Sequence, residues 1–532
     1  MKKTVTVCEA LGNMRLLIGF LMVAGLLADT YPRQPGVDAI HYKFRLSLSD
    51  ASNELQGETT VEIQFLQDNV NEVVLDLQDM TVTGVSPGTY THRDGRLRIS
   101  GAPSRKGERR LITVQYHGEP TGGLRIMKNK YGDRVFFSEN WPNNARRWLP
   151  MIDHPYDKAT SEFLVTAPVK YQVVANGLLQ EETDLGNGMR FTHWKQSVPI
   201  SSWLNALGVA EFSVHHAGVV TGVELQTWAF RQDRQAGPPW FEPVSRAALE
   251  FFSEHIGPYS YEKLANVVAS GFGGGTEHAS AIFYGENSVL QRPGTGLIAH
   301  EIAHQWFGDS VTERDWDDVW LSEGFATYFT LLFTEHAEGR DAFVAGLKDS
   351  RRSIYEMERN NPTWQVRHNN LADMKNVLQR IIYQKGGWTL HMLRSMVGDD
   401  VFWKGIREYY GRYRNGSAST ADFQNVMEEV SGLKLGWFFD QWLNRAGSPV
   451  VKGTWRWDAE AGAVFVVLEQ SGDYRLPMEI AVGDKVEKLE LNKRQQTFTF
   501  AAAKEPGDVK LDPRTTILIN ASFERTGAGG AR

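Results

Sequence analysis

The sequence predicts a multidomain α+β protein, in which an N-terminal antiparallel β domain and a C-terminal β-sandwich flank a mostly helical domain. Three observations support this prediction. The chain has 532 residues, which is enough for three or four domains. Apolar residues alternate with polar ones near both ends of the chain, as strands require, and recur at helical spacing between them. Hydrophobic residues make up 42% of the chain, as in an ordinary globular protein.

The first 28 residues are typical of a targeting segment. Basic residues precede an apolar run over 16–28, which suits a secretory signal but is short for a membrane span. We therefore expect an exported protein, periplasmic or extracellular, in which residues 1–28 are a signal peptide or an N-terminal membrane anchor. Met14 is an alternative start, because the apolar run follows it almost directly.

Composition argues against several functions. The net charge is −7, so nucleic acid is not an expected partner, and membrane association is expected only through the N-terminal segment. Cys8 is the single cysteine and lies within that segment. Once the segment is removed, the chain would have neither a cysteine nucleophile nor a cysteine-ligated metal.

The periodicity changes twice, and these changes predict the domain boundaries. The alternation around Tyr42 and Phe44 opens a β domain expected over 38–218. Helical spacing, for example over 381–396, predicts a helical domain at 219–445. A polar break at 444–449 precedes renewed alternation, which predicts a β-sandwich over 446–522. Residues 523–532 are expected to form a disordered tail.

The helical region contains the ligands of a metal site. His300 and His304 are one helical turn apart and share a face. Glu301 is the next residue after His300 and points one residue further around the helix, where it can reach a metal-bound water. Eighteen residues separate the second histidine from Glu323, which lies in another amphipathic run. Two nitrogen ligands and one oxygen ligand leave a position open for water, so the pattern predicts one catalytic Zn²⁺.

Such a site predicts hydrolysis of a peptide or amide bond. Zinc lowers the pKa of its bound water to about 7. Glu301 can take the proton from that water and deliver it to a leaving amine. The attack creates an oxyanion, which zinc and a second donor would stabilise. The zinc motif alone also fits a metalloendopeptidase.

Two segments carry a resemblance to a known family. HEIAHQWFGDSVT, at 300–312, and VWLSEGFATYF, at 319–329, resemble the core of the aminopeptidase N family of gluzincin zinc metallopeptidases, which includes membrane alanyl aminopeptidase. The resemblance extends over about 38–522 and implies a thermolysin-like catalytic domain. It also implies that Tyr383, in the run Ile-Tyr-Gln-Lys-Gly, donates to the oxyanion. Many members of the family have a C-terminal helical domain that encloses the site. We do not expect such a domain here, and we therefore expect a more open active site.

The same resemblance implies how a substrate would bind. The run Gly274-Gly275-Thr276-Glu277-His278 matches the family strand that binds the substrate backbone. Gly274 and Gly275 would allow the backbone to approach closely. Glu277 would hold the free N-terminal amine, since a buried carboxylate favours a cation. The implied substrates are peptides with a free N-terminus.

The chain departs from the family pattern at four positions. Thr276 and His278 replace the usual Met and Asn. Glu139 stands where the family commonly has Gln, and Trp141 stands where it commonly has Glu or Gln. Strand alternation would place 139 and 141 on one face. We hypothesise that Glu139 takes over the missing charge, or biases the pocket for the first residue toward small polar or basic side chains. Trp141 would narrow this pocket or belong to the core.

The leading interpretation is a zinc-dependent aminopeptidase, and three alternatives remain. The first is a catalytically impaired family member that binds peptides, which the departures from the pattern would favour. The second is a metalloendopeptidase, although an amine anchor at Glu277 would forbid cleavage of internal bonds. The third is an amidase or epoxide hydrolase side activity in the same fold.

Overall fold

The computed structural model describes residues 30–289, 294–367, 374 and 377–526. The predicted targeting segment therefore lies outside the described residues, as does the tail from 527 onward. Among the helices of the described residues, none combines the length and the apolar composition needed to span a membrane.

The N-terminal region consists almost entirely of strands. Two short 3₁₀ helices, Ala145–Arg147 and Ser202–Leu204, lie between them. The strands are β1 (Val37–Ser47), β2 (Leu55–Phe65), β3 (Glu72–Asp76), β4 (Thr81–Ser86), β5 (Thr89–Arg93), β6 (Arg96–Ser100), β7 (Arg109–Gly118), β8 (Gly123–Lys128), β9 (Arg134–Glu139), β10 (Lys158–Pro168), β11 (Gln172–Ala175), β12 (Leu178–Asp184), β13 (Met189–Ser201) and β14 (Leu207–Ala210).

These strands form three sheets, of seven, four and three strands. The largest has the order β12-β13-β10-β1-β2-β7-β4. Alternation along β1 buries Tyr42, Phe44 and Leu46 on one face, as the sequence pattern predicts. The prediction of an antiparallel domain is wrong at one pair, because β1 and β10 run parallel. The long connection between them allows this direction, which a tight hairpin would forbid.

The middle region combines a mixed sheet with eight α-helices in the described residues. The sheet has the order β15-β16-β17-β19-β18. Its strands are β15 (Phe212–Val220), β16 (Val223–Phe230), β17 (Lys263–Ala269), β18 (Gly275–Thr276) and β19 (Ala281–Gly285); β20 (Val311–Glu313) and β21 (Gly416–Ala418) pair separately. The helices are α1 (Gly237–His255), α2 (Thr295–His304), α3 (Trp320–Glu338), α4 (Arg340–Asn360), α5 (Arg380–Val397), α6 (Asp399–Tyr413), α7 (Thr420–Ser431) and α8 (Gly436–Leu443), with 3₁₀ turns at Arg231–Asp233, Glu286–Val289 and Trp316–Asp318.

The five-stranded sheet begins before the predicted boundary at 218/219. β15 pairs antiparallel with β16, with Phe212 opposite Phe230, so it belongs to the helical region rather than to the N-terminal sheets. The sequence pattern does not predict this sheet. Its strand β17 is fully buried, and its sequence KLANVVA lacks the regular alternation of apolar and polar residues, so periodicity cannot separate it from a helix.

The C-terminal region has two sheets, ordered β26-β23-β22-β28 and β25-β24-β27. The strands are β22 (Val450–Asp458), β23 (Ala463–Gln470), β24 (Leu476–Val482), β25 (Lys485–Leu491), β26 (Gln495–Ala501), β27 (Val509–Leu511) and β28 (Asn520–Arg525). The sandwich arrangement of these sheets stays a prediction. The predicted disordered tail is wrong at 523–525, because β28 continues there alongside β22, with Phe523 opposite Gly453.

Candidate active site

Helices α2 and α3 bring the three predicted metal ligands together. His300 and His304 lie on the last turns of α2, and Glu323 lies in the first turn of α3. The two Nε2 atoms are 3.2 Å apart. Glu323 Oε2 lies 3.4 Å from Nε2 of His300 and 3.3 Å from Nε2 of His304. Three ligand atoms therefore converge on one point.

The surroundings of these atoms suit a cation. Glu323 Oε2 is buried and has no hydrogen-bond partner, which is costly unless a positive charge compensates it. On the far side of the ring, His304 Nδ1 lies 3.2 Å from the carbonyl oxygen of Phe307 and 3.0 Å from the hydroxyl of Ser322. Such contacts orient an imidazole so that Nε2 faces the metal. Two imidazoles and one carboxylate match the ligands that zinc prefers.

Electrostatics at the site follow from burial and close carboxylates. Burial raises the pKa of Glu301 well above 4.5, and the charge of Glu277 adds to this effect. Burial acts in the same direction on Glu323, but the charges of His304 and His300 outweigh it and hold the pKa of this carboxyl at about 2. Burial alone would disfavour a charged His304, yet the carboxylates of Glu277 and Glu323 raise its pKa. A divalent cation would stabilise this concentration of negative charge.

Strand β18, which directly precedes Glu277, passes very close to Glu301. A β-carbon added to Gly275 would lie 2.4 Å from the side chain of Glu301, so a larger residue there would displace the Glu301 carboxylate. At Gly274 an added β-carbon would meet nothing within 4 Å, so no close contact explains why this residue is glycine. Carboxylate oxygens of Glu277 and Glu301 lie within 4.8 Å of a nitrogen of His304 and of each other. The predicted amine anchor therefore lies beside the predicted base.

Tyr383 reaches the site from helix α5. Its hydroxyl donates a 2.7 Å hydrogen bond to Glu323 Oε1. This contact depends on a close approach of α3 and α5, because a β-carbon on Gly324 would lie 2.9 Å from the Cα of Gly386. Burial, with the nearby charge of Glu323, raises the pKa of the Tyr383 hydroxyl. The phenol therefore stays protonated and is available as a donor.

These side chains line one cavity of about 320 Å³ between the N-terminal and the helical regions. Its lining residues are Glu139, Trp141, Gly275, Thr276, Glu277, Leu297, His300, Glu301, His304, Glu323, Leu378 and Tyr383. The structure thus brings together every predicted site residue except Gly274, which neighbours the lining.

Glu139 and Trp141 both line the cavity, but strand alternation is not the reason. Strand β9 ends at Glu139, and Trp141 lies beyond it. The Trp141 ring packs edge-on against Trp203 and Trp316, at ring-centroid distances of 4.5 and 4.9 Å. This aromatic packing, rather than the pleat of a strand, holds Trp141 at the cavity wall.

Two contacts at the site were missed by the sequence analysis. Arg125 donates a 2.9 Å hydrogen bond to Glu139 Oε2. Gln305 Nε2 donates to the carbonyl oxygen of Glu277 at 3.0 Å and so ties the segment that follows β18 to the end of α2. The position of Gln305, directly after the metal-ligand His304, is a signal that could have pointed to it. Arg125 gives no such signal, because it reads as an exposed residue of an ordinary strand.

His278 is fully buried beside the cavity. Its Nε2 lies 3.3 Å from the carbonyl oxygen of Ser138, and its ring packs edge-on against Phe283. Burial lowers the pKa of this imidazole to about 4, so it is neutral. His278 therefore acts as a packing residue that joins the segment following β18 to strand β9, which ends at Glu139.

Comparison with known protein families agrees with this geometry. The model of the peptidase family M1 domain matches residues 243–442, and that of the peptidase M1 N-terminal domain matches residues 38–204. The chain belongs to peptidase family M1. Peptidases of this family are zinc-dependent, and the helical region of this M1 chain contains a matching ligand cluster.

Several similar proteins are aminopeptidases by name. Glutamyl aminopeptidase of Sus scrofa is 28% identical over 368 residues, which cover 64% of this chain and 38% of that protein. The probable M1 family aminopeptidase 1 of Encephalitozoon cuniculi is 25% identical over 512 residues, covering 86% of this chain and 57% of its own length. This M1 chain thus spans between about two fifths and three fifths of these relatives.

A solved structure shares the fold. Aminopeptidase A of Legionella pneumophila, crystallised in complex with aspartic acid, superposes with a TM-score of 0.81 at 17% sequence identity. The match covers 94% of this chain and 61% of that one. All three regions of the chain therefore belong to a fold that this M1 protein shares with a structure named aminopeptidase A.

Proposed function

We propose that this protein is a zinc-dependent aminopeptidase, which hydrolyses the N-terminal peptide bond of peptides. The observation that carries the proposal is the position of Glu277. Its carboxylate lies next to Glu301 and the metal-ligand cluster, in the same cavity. A buried carboxylate at that point favours a substrate whose amine ends there, and this restriction distinguishes an aminopeptidase from an endopeptidase.

Bound zinc, held by His300, His304 and Glu323, would supply Lewis acidity and a water of lowered pKa. Glu301 accepts the proton from the attacking water and passes it to the leaving amine. The Glu301 carboxylate is held in position because it is buried and because the backbone of Gly275 packs against it.

Tyr383 and Glu277 act on opposite ends of the reacting group. The Tyr383 hydroxyl donates to the carbonyl oxygen of the substrate as that oxygen gains charge. Glu277 accepts hydrogen bonds from the substrate's ammonium group and sets the register, so that the first peptide bond lies beside Glu301. The backbone of Gly275 and Thr276 would pair with the extended substrate, because β18 is an edge strand of its sheet.

We also propose that the protein is exported, on the strength of the apolar run at 16–28 and the basic residues before it. Fractionation of cells that express the full chain tests this proposal. Recovery of the protein in the periplasm, the medium or the membrane supports export, and recovery in the cytoplasm alone contradicts it.

Mass spectrometry of peptide digests tests the proposed activity. We expect stepwise loss of single residues from the N-terminus, no loss from N-acetylated copies, arrest by a chelator and recovery with one equivalent of Zn²⁺. Cleavage at internal bonds would indicate an endopeptidase. Binding of peptides to the zinc-loaded protein without any cleavage would indicate a peptide-binding protein.

A further inference from the structure

The charge of Glu139 is matched by a specific partner. In the β8–β9 pair, Gly123 lies opposite Glu139, so Arg125 reaches the carboxylate diagonally across two strands. The guanidinium Nη2 donates to Glu139 Oε2 at 2.9 Å. The side chain of Glu139 is only 21% exposed and that of Arg125 is 38% exposed. The pair is therefore partly shielded from water.

Arg125 is held in place by a second element as well. Its Nη1 donates to the carbonyl oxygen of Gly271, and its guanidinium lies 5.1 Å from the centre of the Phe272 ring. Gly271 has a φ of +87°, and an added β-carbon there would lie 3.2 Å from Arg125 Nη1. The guanidinium is thus fixed between strand β9 and the loop that leads into β18.

Among the described residues, Glu139 is the charged lining residue that the N-terminal region contributes to the cavity. Among the described lining residues, the remaining charged or ionisable ones are the metal ligands, the base Glu301, the amine anchor Glu277 and Tyr383. The part of the cavity lined by Glu139 and Trp141 is here termed the first-residue pocket. Glu139 is its one charged wall residue, so the partner of Glu139 decides the net charge of that pocket.

We propose that Arg125 is a specificity-determining residue, which neutralises Glu139 so that the first-residue pocket accepts uncharged side chains. This inference rests on the proposed aminopeptidase function. It revises the hypothesis of a preference for basic residues, because the carboxylate that would attract a cation already has one. Loss of Arg125 would leave an anionic pocket, and loss of the Glu139 charge would leave a cationic one.

The test is a charge-exchange cycle in the full chain. The values of kcat/KM for lysyl, leucyl and glutamyl anilides are measured for the wild type, Arg125→Gln, Glu139→Gln and the double variant. We expect Arg125→Gln to raise the lysyl-to-leucyl ratio about fivefold and Glu139→Gln to raise the glutamyl-to-leucyl ratio about fivefold, as for one partly exposed charge pair. The double variant should return to the wild-type ratios, because both charges are gone.

Arg125→Lys is the matched control, because it keeps the positive charge and loses the forked geometry. It should keep the wild-type ratios. If every Arg125 variant lowers kcat/KM equally for all three anilides, or the ratios of the double variant differ from those of the wild type, the proposal is overturned and Arg125 is merely structural.

Calorimetric binding of free lysine, leucine and glutamate to the zinc-loaded variants separates this inference from the proposed function. A wild type that binds these amino acids but cleaves no anilide refutes the proposed function, and the binding ratios then decide the charge cycle with the same expected order. A wild type that neither binds nor cleaves overturns both proposals.

Discussion

The metal-ligand helices and the first-residue pocket are built in opposite ways. All three ligands lie within 24 consecutive positions, on α2 and the start of α3. The pocket joins elements that are distant in the chain, since Arg125 contacts Gly271 across 146 positions. In the proposed function, chemistry therefore depends on a local unit, whereas selectivity depends on how the N-terminal region meets that unit. Changes in the first region should act on rate, and changes in the second on residue preference.

Glu301→Gln provides the strongest test of the rate-setting region. The amide keeps the shape of the side chain but cannot accept a proton, so kcat should fall about 10³-fold while zinc stays bound. Steady-state kinetics and metal analysis on one preparation check this. Glu254→Gln, on the exposed face of α1, makes the same chemical change away from the cavity and serves as control. A zinc-loaded Glu301→Gln variant with nearly normal turnover would refute the assigned role.

Tyr383→Phe should have the next largest effect. It removes the hydroxyl that donates to Glu323 and would donate to the substrate oxyanion, so kcat should fall about 100-fold with little change in KM. Kinetics on leucyl anilide measure this, with Tyr90→Phe on the exposed strand β5 as control. An effect confined to KM would place Tyr383 in substrate binding and weaken the contrast between the two regions.

Gly324→Ala sharpens the comparison by changing only how α3 and α5 pack. The new β-carbon would lie 2.9 Å from the Cα of Gly386, so the helices must separate. We expect a loss of about 1–3 kcal/mol in the free energy of unfolding and about a tenfold fall in kcat as Tyr383 shifts. Thermal unfolding and kinetics check this.

Gly411→Ala on α6 is the matched control for this packing test. Its added β-carbon meets nothing within 4 Å, so the helix should gain about 0.5–1 kcal/mol. A Gly324→Ala variant as stable and active as this control would contradict the packing argument.

The same contrast explains what the sequence could predict. Helix α5 and the ligand pattern follow from periodicity and spacing, because one helical turn places His300 beside His304. The contact of Arg125 with Glu139 depends on the register of β8 and β9, which no local pattern specifies. The buried sheet around β17 was missed, because this strand is buried on both faces and its sequence KLANVVA lacks the alternation that marks a half-exposed strand.

A comparison of substrates with free and blocked N-termini gives the most direct test of the central claim. The claim is that Glu277 restricts a zinc hydrolase to aminopeptidase activity. The measurement is the ratio of kcat/KM for free over N-acetylated leucyl anilide, in the wild type and in Glu277→Gln. We predict a ratio of about 100 or more in the wild type, which falls at least tenfold in Glu277→Gln because the charged hydrogen bond to the amine is lost. A wild type that cleaves both substrates equally, or a ratio unchanged by the substitution, would contradict the account.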